Sequence, residues 1–318
     1  MATLRDIKRR LRSTANMQQI TRAMEAVSAS KMRKSQMVAL AARPYSVKAL
    51  EMLGNLGETT KDHWLLAPYR DELSGAGFRE HQSDAIGLLV FTSDKGLCGG
   101  YNSAIFKRVE SFIKSRFKNN TVELIVVGKK AITYFKKKGY EISAEFTDFG
   151  DYIEVEQTSP VARLISDRFK KGAYREVWAV YTNFLTTLKQ ETAARRILPI
   201  ELSFIREIVE GIIPEYGRFA KERQKQLGGL RFEYILEPNP QEIFDTLLPA
   251  LFEVAIHHII LESNASEHSA RMVAMRNASE NASEILETLN LSYNKLRQAN
   301  ITKELLEVIA GREALESA

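Results

Sequence analysis

From Leu247 to Leu296 the chain repeats one spacing, four residues then three, without a break. The positions are Leu247, Leu251, Val254, His258, Leu261, Ala265, His268, Met272, Met275, Ser279, Ala282, Leu286, Leu289, Tyr293 and Leu296. Twelve of these 15 are apolar or aromatic, over seven heptads. A seven-residue repeat held that long draws one stripe along a helix and commits it to a left-handed supercoil with another helix. Asn239-Pro240-Gln241-Glu242 marks the start: Asn caps, Pro suits the first helical position, and Glu three residues past the cap can reach back. No glycine falls between residues 230 and 310 to weaken the helix. At about 1.5 Å per residue, residues 241–310 would extend roughly 100 Å. Pro249 predicts a kink or restart near its position.

A partner helix is available at the other end. The first 53 residues also lack glycine, and Leu4, Ile7, Leu11, Met17, Ile20, Met24 and Val27 form a stripe with a slip in spacing around Thr14. Lys8, Arg9, Arg10, Arg12 and Arg22 fill the other faces, and Pro44 predicts a bend or interruption. Helices at opposite chain ends, with a compact domain between them, pair most simply antiparallel. The C-terminal one is longer, so part of it must project unpaired. Its tail, Leu305, Leu306, Val308, Ile309 and Leu315, is still apolar and wants another protein around it. Residues 1–48 carry 11 basic side chains against Asp6 and Glu25, a net of +9, whereas the whole chain is +5. The basic balance therefore belongs to the first helix, which expects an anionic partner: nucleic acid, a membrane surface or an acidic protein face.

Sixteen of the 17 glycines lie between Gly54 and Gly229, which marks a turn-rich centre. There, apolar runs alternate with helix-like segments. Strands are expected at Ala85–Thr92, Val122–Val127, Tyr140–Phe146 and Glu176–Asn183, and helices at Asn102–Phe117, Lys129–Lys138 and from Ser159-Pro160 to about Lys170. The expected fold class is α/β plus a long antiparallel coiled coil: the N- and C-terminal helices wind together, and the centre is a Rossmann-like doubly wound α/β domain. The expected boundaries are 1–55 for the first helix, 56–84 for a connection, 85–232 for the α/β domain and 233–318 for the last helix and its tip.

Catalytic chemistry is hard to place on this sequence. A single cysteine, Cys98, rules out a disulfide framework and any Cys-rich metal site. Gly96-Leu97-Cys98-Gly99-Gly100 is neither G-x-G-x-x-G nor a phosphate loop, and Gly128-Lys129 lacks the hydroxyl that would follow. His258 and His268 fall on the stripe, almost three turns apart, too far to share a metal. Apolar runs such as Leu247–Leu261 are too short or too interrupted for a membrane span. The start, Met1 to Asp6, has no apolar region of a secretory signal, so a cytosolic compartment is expected. No cofactor or metal is expected. Two other classes stay open: a basic coiled coil docking on nucleic acid, and an α/β enzyme using the turn from Asp94 to Gly100.

Three segments carry a family resemblance. They are residues 20–34 (ITRAMEAVSASKMRK), residues 93–102 (SDKGLCGGYN), and SEHSARMVAM at 266–275 continuing to LSYNKLRQANITKEL at 291–305. Together they resemble the gamma subunit of F-type ATP synthases, the central rotor stalk. The resemblance implies an antiparallel coiled coil inside a hexamer of alternating alpha and beta subunits. It places the α/β domain at the foot, against the epsilon subunit and the membrane ring of c subunits. Proton flow would turn the ring and stalk, and the asymmetric stalk would drive three beta sites through different nucleotide affinities. It implies contacts with alpha and beta through Lys8, Arg9, Arg10, Arg12, Met24, Lys31, Arg33 and Lys34. The loop with Asp94, Lys95 and Cys98 would face a lower beta lever, and Arg297, Gln298, Thr302 and Glu304 would make an upper contact. Leu305, Leu306, Val308 and Ile309 would turn in an apolar sleeve. The implied location is the cytoplasmic face of a bacterial inner membrane, peripheral through the complex, with no catalytic residue of its own and no nucleic acid partner. Chloroplast members carry a cysteine pair for redox control, which one cysteine cannot supply. Residues 200–229 look longer than the usual bacterial link and predict an extra helical excursion.

Overall fold

The computed structural model describes residues 3–56, 63–66, 84–118, 120–149, 153–201, 237 and 239–316. The expected connection at 56–84 lies mostly outside them, as does the excursion expected at 200–229 apart from Ile200 and Glu201. The described chain contains α1 (Leu4–Leu56), β1 (Ile86–Phe91), α2 (Tyr101–Arg116), β2 (Val122–Val127), α3 (Lys129–Lys138), β3 (Ile142–Phe146), α4 (Val155–Lys170), β4 (Glu176–Phe184), β5 (Gln190–Leu198) and α5 (Pro240–Glu316). It divides into two compact units, Met1–Ser28 with Met272–Ala318, and Ala29–Arg271.

Both long helices start on the caps their sequences supply. The Asn239 side chain accepts the Glu242 N–H at 2.9 Å and donates back to the Glu242 carboxylate at 2.6 Å. At the start of α1, the Thr3 hydroxyl accepts the Asp6 N–H at 3.2 Å. Neither proline stops its helix. Both α1 and α5 run unbroken through positions 44 and 249. α5 spans 77 residues, on the order of 115 Å.

In the first unit, α1 and α5 form a two-helix coiled coil. Along α1 the inward positions are Leu4, Ile7, Leu11, Thr14, Gln18, Thr21, Glu25 and Ser28, all buried or half-buried and spaced three and four throughout. The slip expected at Thr14 does not occur. Met17, Ile20 and Val27, expected in the seam, are 55%, 56% and 52% exposed. The seam keeps its period by switching to polar residues, and the apolar stripe lies one position to the side.

The second unit is a five-stranded sheet of order β3-β2-β1-β4-β5. The first four strands are parallel and β5 is antiparallel to β4. Helices cover both faces, so alternate residues of the central strands enter different cores. Leu88 and Val90 of β1 join Leu124 and Val126 of β2 under α2 and α3. Leu89 and Phe91 join Ile125, Val127, Ala179 and the apolar side of α4 and α5. This double burial explains why β1 reads as an uninterrupted apolar run.

Three details differ from the sequence expectation. β5 was not anticipated. β3 begins at Ile142. α4 begins at Val155, capped where the Glu154 N–H meets the Gln157 side chain at 3.1 Å, and takes Pro160 into its second turn. By length and composition one stretch of α5 would pass for a membrane span, contrary to the expectation of none. Its apolar residues Leu248, Leu251, Phe252, Ile256, Ile259 and Ile260 are instead buried in the sheet's core. Each such side chain contributes about 1.5–3 kcal/mol by leaving water.

Candidate functional site

In an open α/β sheet, ligands bind beyond the carboxyl ends of the strands where the chain reverses its direction of travel across the sheet. Here that point lies between β1 and β4. The loop after β1 is shaped entirely by internal bonds. Asp94 accepts the Lys129 N–H at 2.9 Å and the Asp148 N–H at 2.9 Å, filling the α3 N-terminus with its own carboxylate. Thr92 Oγ1 accepts the Ala131 N–H at 2.9 Å, and the Ser93 carbonyl accepts the Lys130 N–H at 3.1 Å. Gly128, at φ +102°, lies so close to β1 that a Cβ would stand 2.2 Å from the Thr92 carbonyl oxygen. Gly128-Lys129 is therefore a tight strand-to-helix turn whose N-terminus is met by the Asp94 carboxylate.

Cys98 is a buried free thiol. Asn102 Nδ2 donates to its sulfur at 3.2 Å and to Ser93 Oγ at 2.7 Å, while Asn102 Oδ1 accepts the Ser93 N–H at 3.1 Å. The loop's outward residues are Lys95 and Leu97, the latter in a left-handed conformation (φ 63°) and 63% exposed.

α5 occupies the mouth between β1 and β4. Tyr101 Oη donates to the Ser263 carbonyl at 3.1 Å, and burial pushes that phenol's pKa well up, so it remains a donor. Ser266 Oγ donates to the Thr182 carbonyl at 3.1 Å, and Ser269 Oγ to the Thr187 carbonyl at 2.7 Å. Gln190 Nε2 reaches Ser269 Oγ at 3.2 Å. Arg271, buried, donates through Nε to the Gly96 carbonyl at 3.2 Å and through Nη2 to the Lys95 carbonyl at 3.1 Å and the Glu267 carboxylate at 2.6 Å. Burial raises the Glu267 carboxyl's pKa and Arg271 opposes that rise. One turn into this segment, His268 lies 3.3 Å from the same guanidinium. Farther down α5, Glu253 accepts from Ser159 Oγ at 2.6 Å and Arg163 Nε at 3.0 Å, both on α4.

The residues expected to meet partners are distributed as follows. Lys8, Arg9, Arg10, Arg12 and Arg33 are exposed; Met24, Lys31 and Lys34 are half-buried. Asp94 and Cys98 are turned to internal bonds, and Lys95 is exposed. On α5 every seam position from Leu247 to Leu296 is buried or half-buried, and every residue from Arg297 to Ala310 is exposed. Arg297, Gln298, Thr302 and Glu304 lie in that free end, with Leu305, Leu306, Val308 and Ile309 between 57% and 71% exposed. Sequence reasoning gave no role to Tyr101, Ser266, Ser269 or Arg271. An arginine two residues past a pair of serines, inside an apolar helix, was the signal available.

The fold thus defines the class of proteins that combine a coiled coil of their two terminal helices with a doubly wound α/β domain whose strand-end crevice is filled by their own helix. The ATP synthase family model matches residues 3–315. The chain is 37% identical to the ATP synthase gamma chain of Pelotomaculum thermopropionicum, covering 99% of this chain and all of that one, and 37% identical to that of Chloroflexus aurantiacus over the whole of both. This chain belongs to the ATP synthase gamma-chain family. Its fold is also that of a chain in the Euglena gracilis mitochondrial ATP synthase (OSCP/F1/c-ring), with TM-score 0.63, 18% identity and 99% and 95% of the two chains covered. A second match lies in the Tetrahymena thermophila mitochondrial ATP synthase central stalk and c-ring, with TM-score 0.54, 21% identity and 82% and 99% covered.

Proposed function

We propose that this chain is the central rotor stalk of a proton-translocating F-type ATP synthase, coupling rotation of the membrane c-ring to the three beta-subunit catalytic sites. The observation that carries the reading is the abrupt end of burial on α5 at Leu296, followed by an exposed helix with an apolar side. A coiled coil resists twist better than one helix, and its off-axis surface offers different faces to chemically identical neighbours. Leu305, Leu306, Val308 and Ile309 would turn in an apolar sleeve, where non-directional contacts let surfaces slide without breaking fixed hydrogen bonds. Lys8, Arg9, Arg10, Arg12, Met24, Lys31, Arg33 and Lys34 would face alpha and beta subunits, as would Arg297, Gln298, Thr302 and Glu304. In the loop, Asp94 and Cys98 hold the shape and Lys95 meets a beta lever. The α/β domain, residues 85–232, would be the foot against epsilon and the c-ring.

On this reading the chain has no catalytic residue of its own, takes no cofactor and resides peripherally on the cytoplasmic face of a bacterial inner membrane. The exposed apolar Met17 and Ile20 among the N-terminal basic residues disfavour a nucleic acid partner. Affinity purification from native membranes tests the reading: co-purification with alpha and beta subunits and ATP-driven proton pumping by the complex are expected. Recovery of the chain without them would overturn it.

A further inference from the structure

In a doubly wound sheet the crevice between two strands of opposite travel receives a ligand; in this chain it receives a helix. The floor of that crevice is polar. Its acceptors are the carbonyls of Lys95 and Gly96 after β1, Thr182 on β4 and Thr187 after β4, and all four are met by side chains of α5. A fifth bond runs the other way, from Tyr101 on α2 to the Ser263 carbonyl of α5. Below it, Glu253 ties α5 to Ser159 and Arg163 of α4. The contacts cover residues 253–271 and come from α2, α4, β4 and the loops after β1 and β4.

Apolar packing and these bonds act differently on a helix under torque. Leu251, Phe252, Ile256, Ile259 and Ile260 hold α5 against the sheet, with an attraction that has little direction. Hydrogen bonds lose most of their strength when their angle changes. Turning α5 about its own axis would break the hydroxyl bonds first and leave buried carbonyls unpaired.

We propose that the hydroxyls of Tyr101, Ser266 and Ser269, with the Glu253 carboxylate, form a clasp that fixes the azimuth of α5 and passes torque between the α/β body and that helix. The proposal rests on the rotor reading. These are positioning residues, since the nucleotide chemistry belongs to other subunits.

The test uses the assembled ATP synthase in sealed vesicles, comparing wild type with the triple variant Tyr101→Phe/Ser266→Ala/Ser269→Ala. Protons pumped per ATP hydrolysed are measured against an increasing opposing proton gradient. The variant is expected to match wild type at zero gradient and to fall about two-fold or more below it under load, because the helix slips. Ser103→Ala, which removes an exposed hydroxyl bonded to the Gly100 carbonyl, keeps the wild-type curve. Should the triple variant not assemble, Tyr101→Phe alone, which keeps the ring and removes one oxygen, shows a smaller loss of the same sign. Load curves superimposable on wild type would overturn the clasp. A wild-type complex that hydrolyses ATP without pumping would overturn the rotor reading, and the clasp with it.

Discussion

Arg276 Nε donates to Glu25 Oε1 at 3.0 Å across the coiled coil. The pair sits within a stretch where the α1 seam is otherwise Thr21 and Ser28, too small and polar to specify a register by shape. It also gives the direction of pairing. Going from Glu25 back to Leu4 crosses 21 positions, and going from Arg276 forward to Leu296 crosses 20. Leu4 and Leu296, both half-buried, thus stand at matching distances from the pair, as antiparallel pairing requires. A polar residue at one seam position often fixes register at some expense in stability.

Exchanging these charges tests that role. Glu25→Ala should lower the chain's stability by about 0.5–1 kcal/mol, the range of a partly exposed ion pair. The swap Glu25→Arg with Arg276→Glu should recover most of it. A double-mutant cycle from denaturant midpoints measures the coupling; zero coupling would assign register to the apolar ends alone.

From Met272 to Leu296 the α5 seam was legible because its buried face is the face its period marks. Before Met272, off-stripe residues such as Leu248, Phe252 and Ile256 are buried as well, which the stripe does not mark. The α1 seam was legible only as far as Leu11. Beyond it the inward residues are Thr14, Gln18, Thr21, Glu25 and Ser28, and an apolar-periodicity rule follows Met17, Ile20 and Val27 to the outside instead. β5 escaped for a similar reason. Gln190-Glu191-Thr192-Ala193-Ala194-Arg195-Arg196 has few β-branched residues, and its turn from Leu185 to Lys189 contains no glycine, proline or asparagine. Only Ile197 and Leu198 are fully buried, with Ala194 half-buried against the core on the other face. The bonds to α5 join residues more than 80 positions apart, which local pattern cannot reveal.

Gly128 and Gly139 separate two effects of an added methyl group. Both have positive φ, but a Cβ on Gly139 meets nothing within 4 Å, whereas one on Gly128 meets the Thr92 backbone at 2.2 Å. Gly139→Ala should therefore lose only the conformational term, about 1–2 kcal/mol. Gly128→Ala should lose considerably more, or fail to fold. Thermal denaturation of the two purified variants decides it; equal losses would show that the β1–β2 edge yields.

Acid should loosen the second unit through His257. Its Nδ1 lies 3.1 Å from Thr158 Oγ1, whose own proton goes to the Val155 carbonyl, so Nδ1 carries the hydrogen of a neutral ring. Burial, then the neighbouring His258, lowers its pKa from 6.5 to about 4. Because the folded value is depressed, the stabilisation is present above pH 6.5 and disappears as pH falls toward 4. That amounts to at most roughly 3 kcal/mol. His257→Asn should flatten the acid limb of a stability–pH curve over that window, and an unchanged limb would place the acid sensitivity elsewhere.

The basic face of α1 makes a different demand. Lys8, Arg9 and Arg10 are exposed, and Arg9 pairs with Asp6 at 3.6 Å on the same helix. Reversing all three to Glu should change the isolated chain's stability by little more than about 1 kcal/mol. ATP-driven proton pumping by the complex should fall much further. A melting shift as large as the functional loss would make the face structural.

The exposed end of α5 gives the most direct separation of folding from assembly. From Arg297 to Ala310 no side chain is buried, although Ile301, Leu305, Leu306, Val308 and Ile309 are all large and apolar. Such a surface has no stabilising role in the free chain, where it contributes only the marginal propensity of an unsupported helix. Truncation after Asn300 should thus leave the melting temperature of the purified chain within about a degree or two, corresponding to less than about 0.5 kcal/mol. On the rotor reading, the same truncation should reduce ATP hydrolysis and pumping by the reconstituted complex, because the proposed sleeve would close on nothing. Truncation after Ala310 keeps all of these apolar residues and should assemble normally. If the shorter chain melted several degrees lower, the tip would be packing on its own protein; if the complex ran unimpaired without it, the apolar surface would need another partner to explain it.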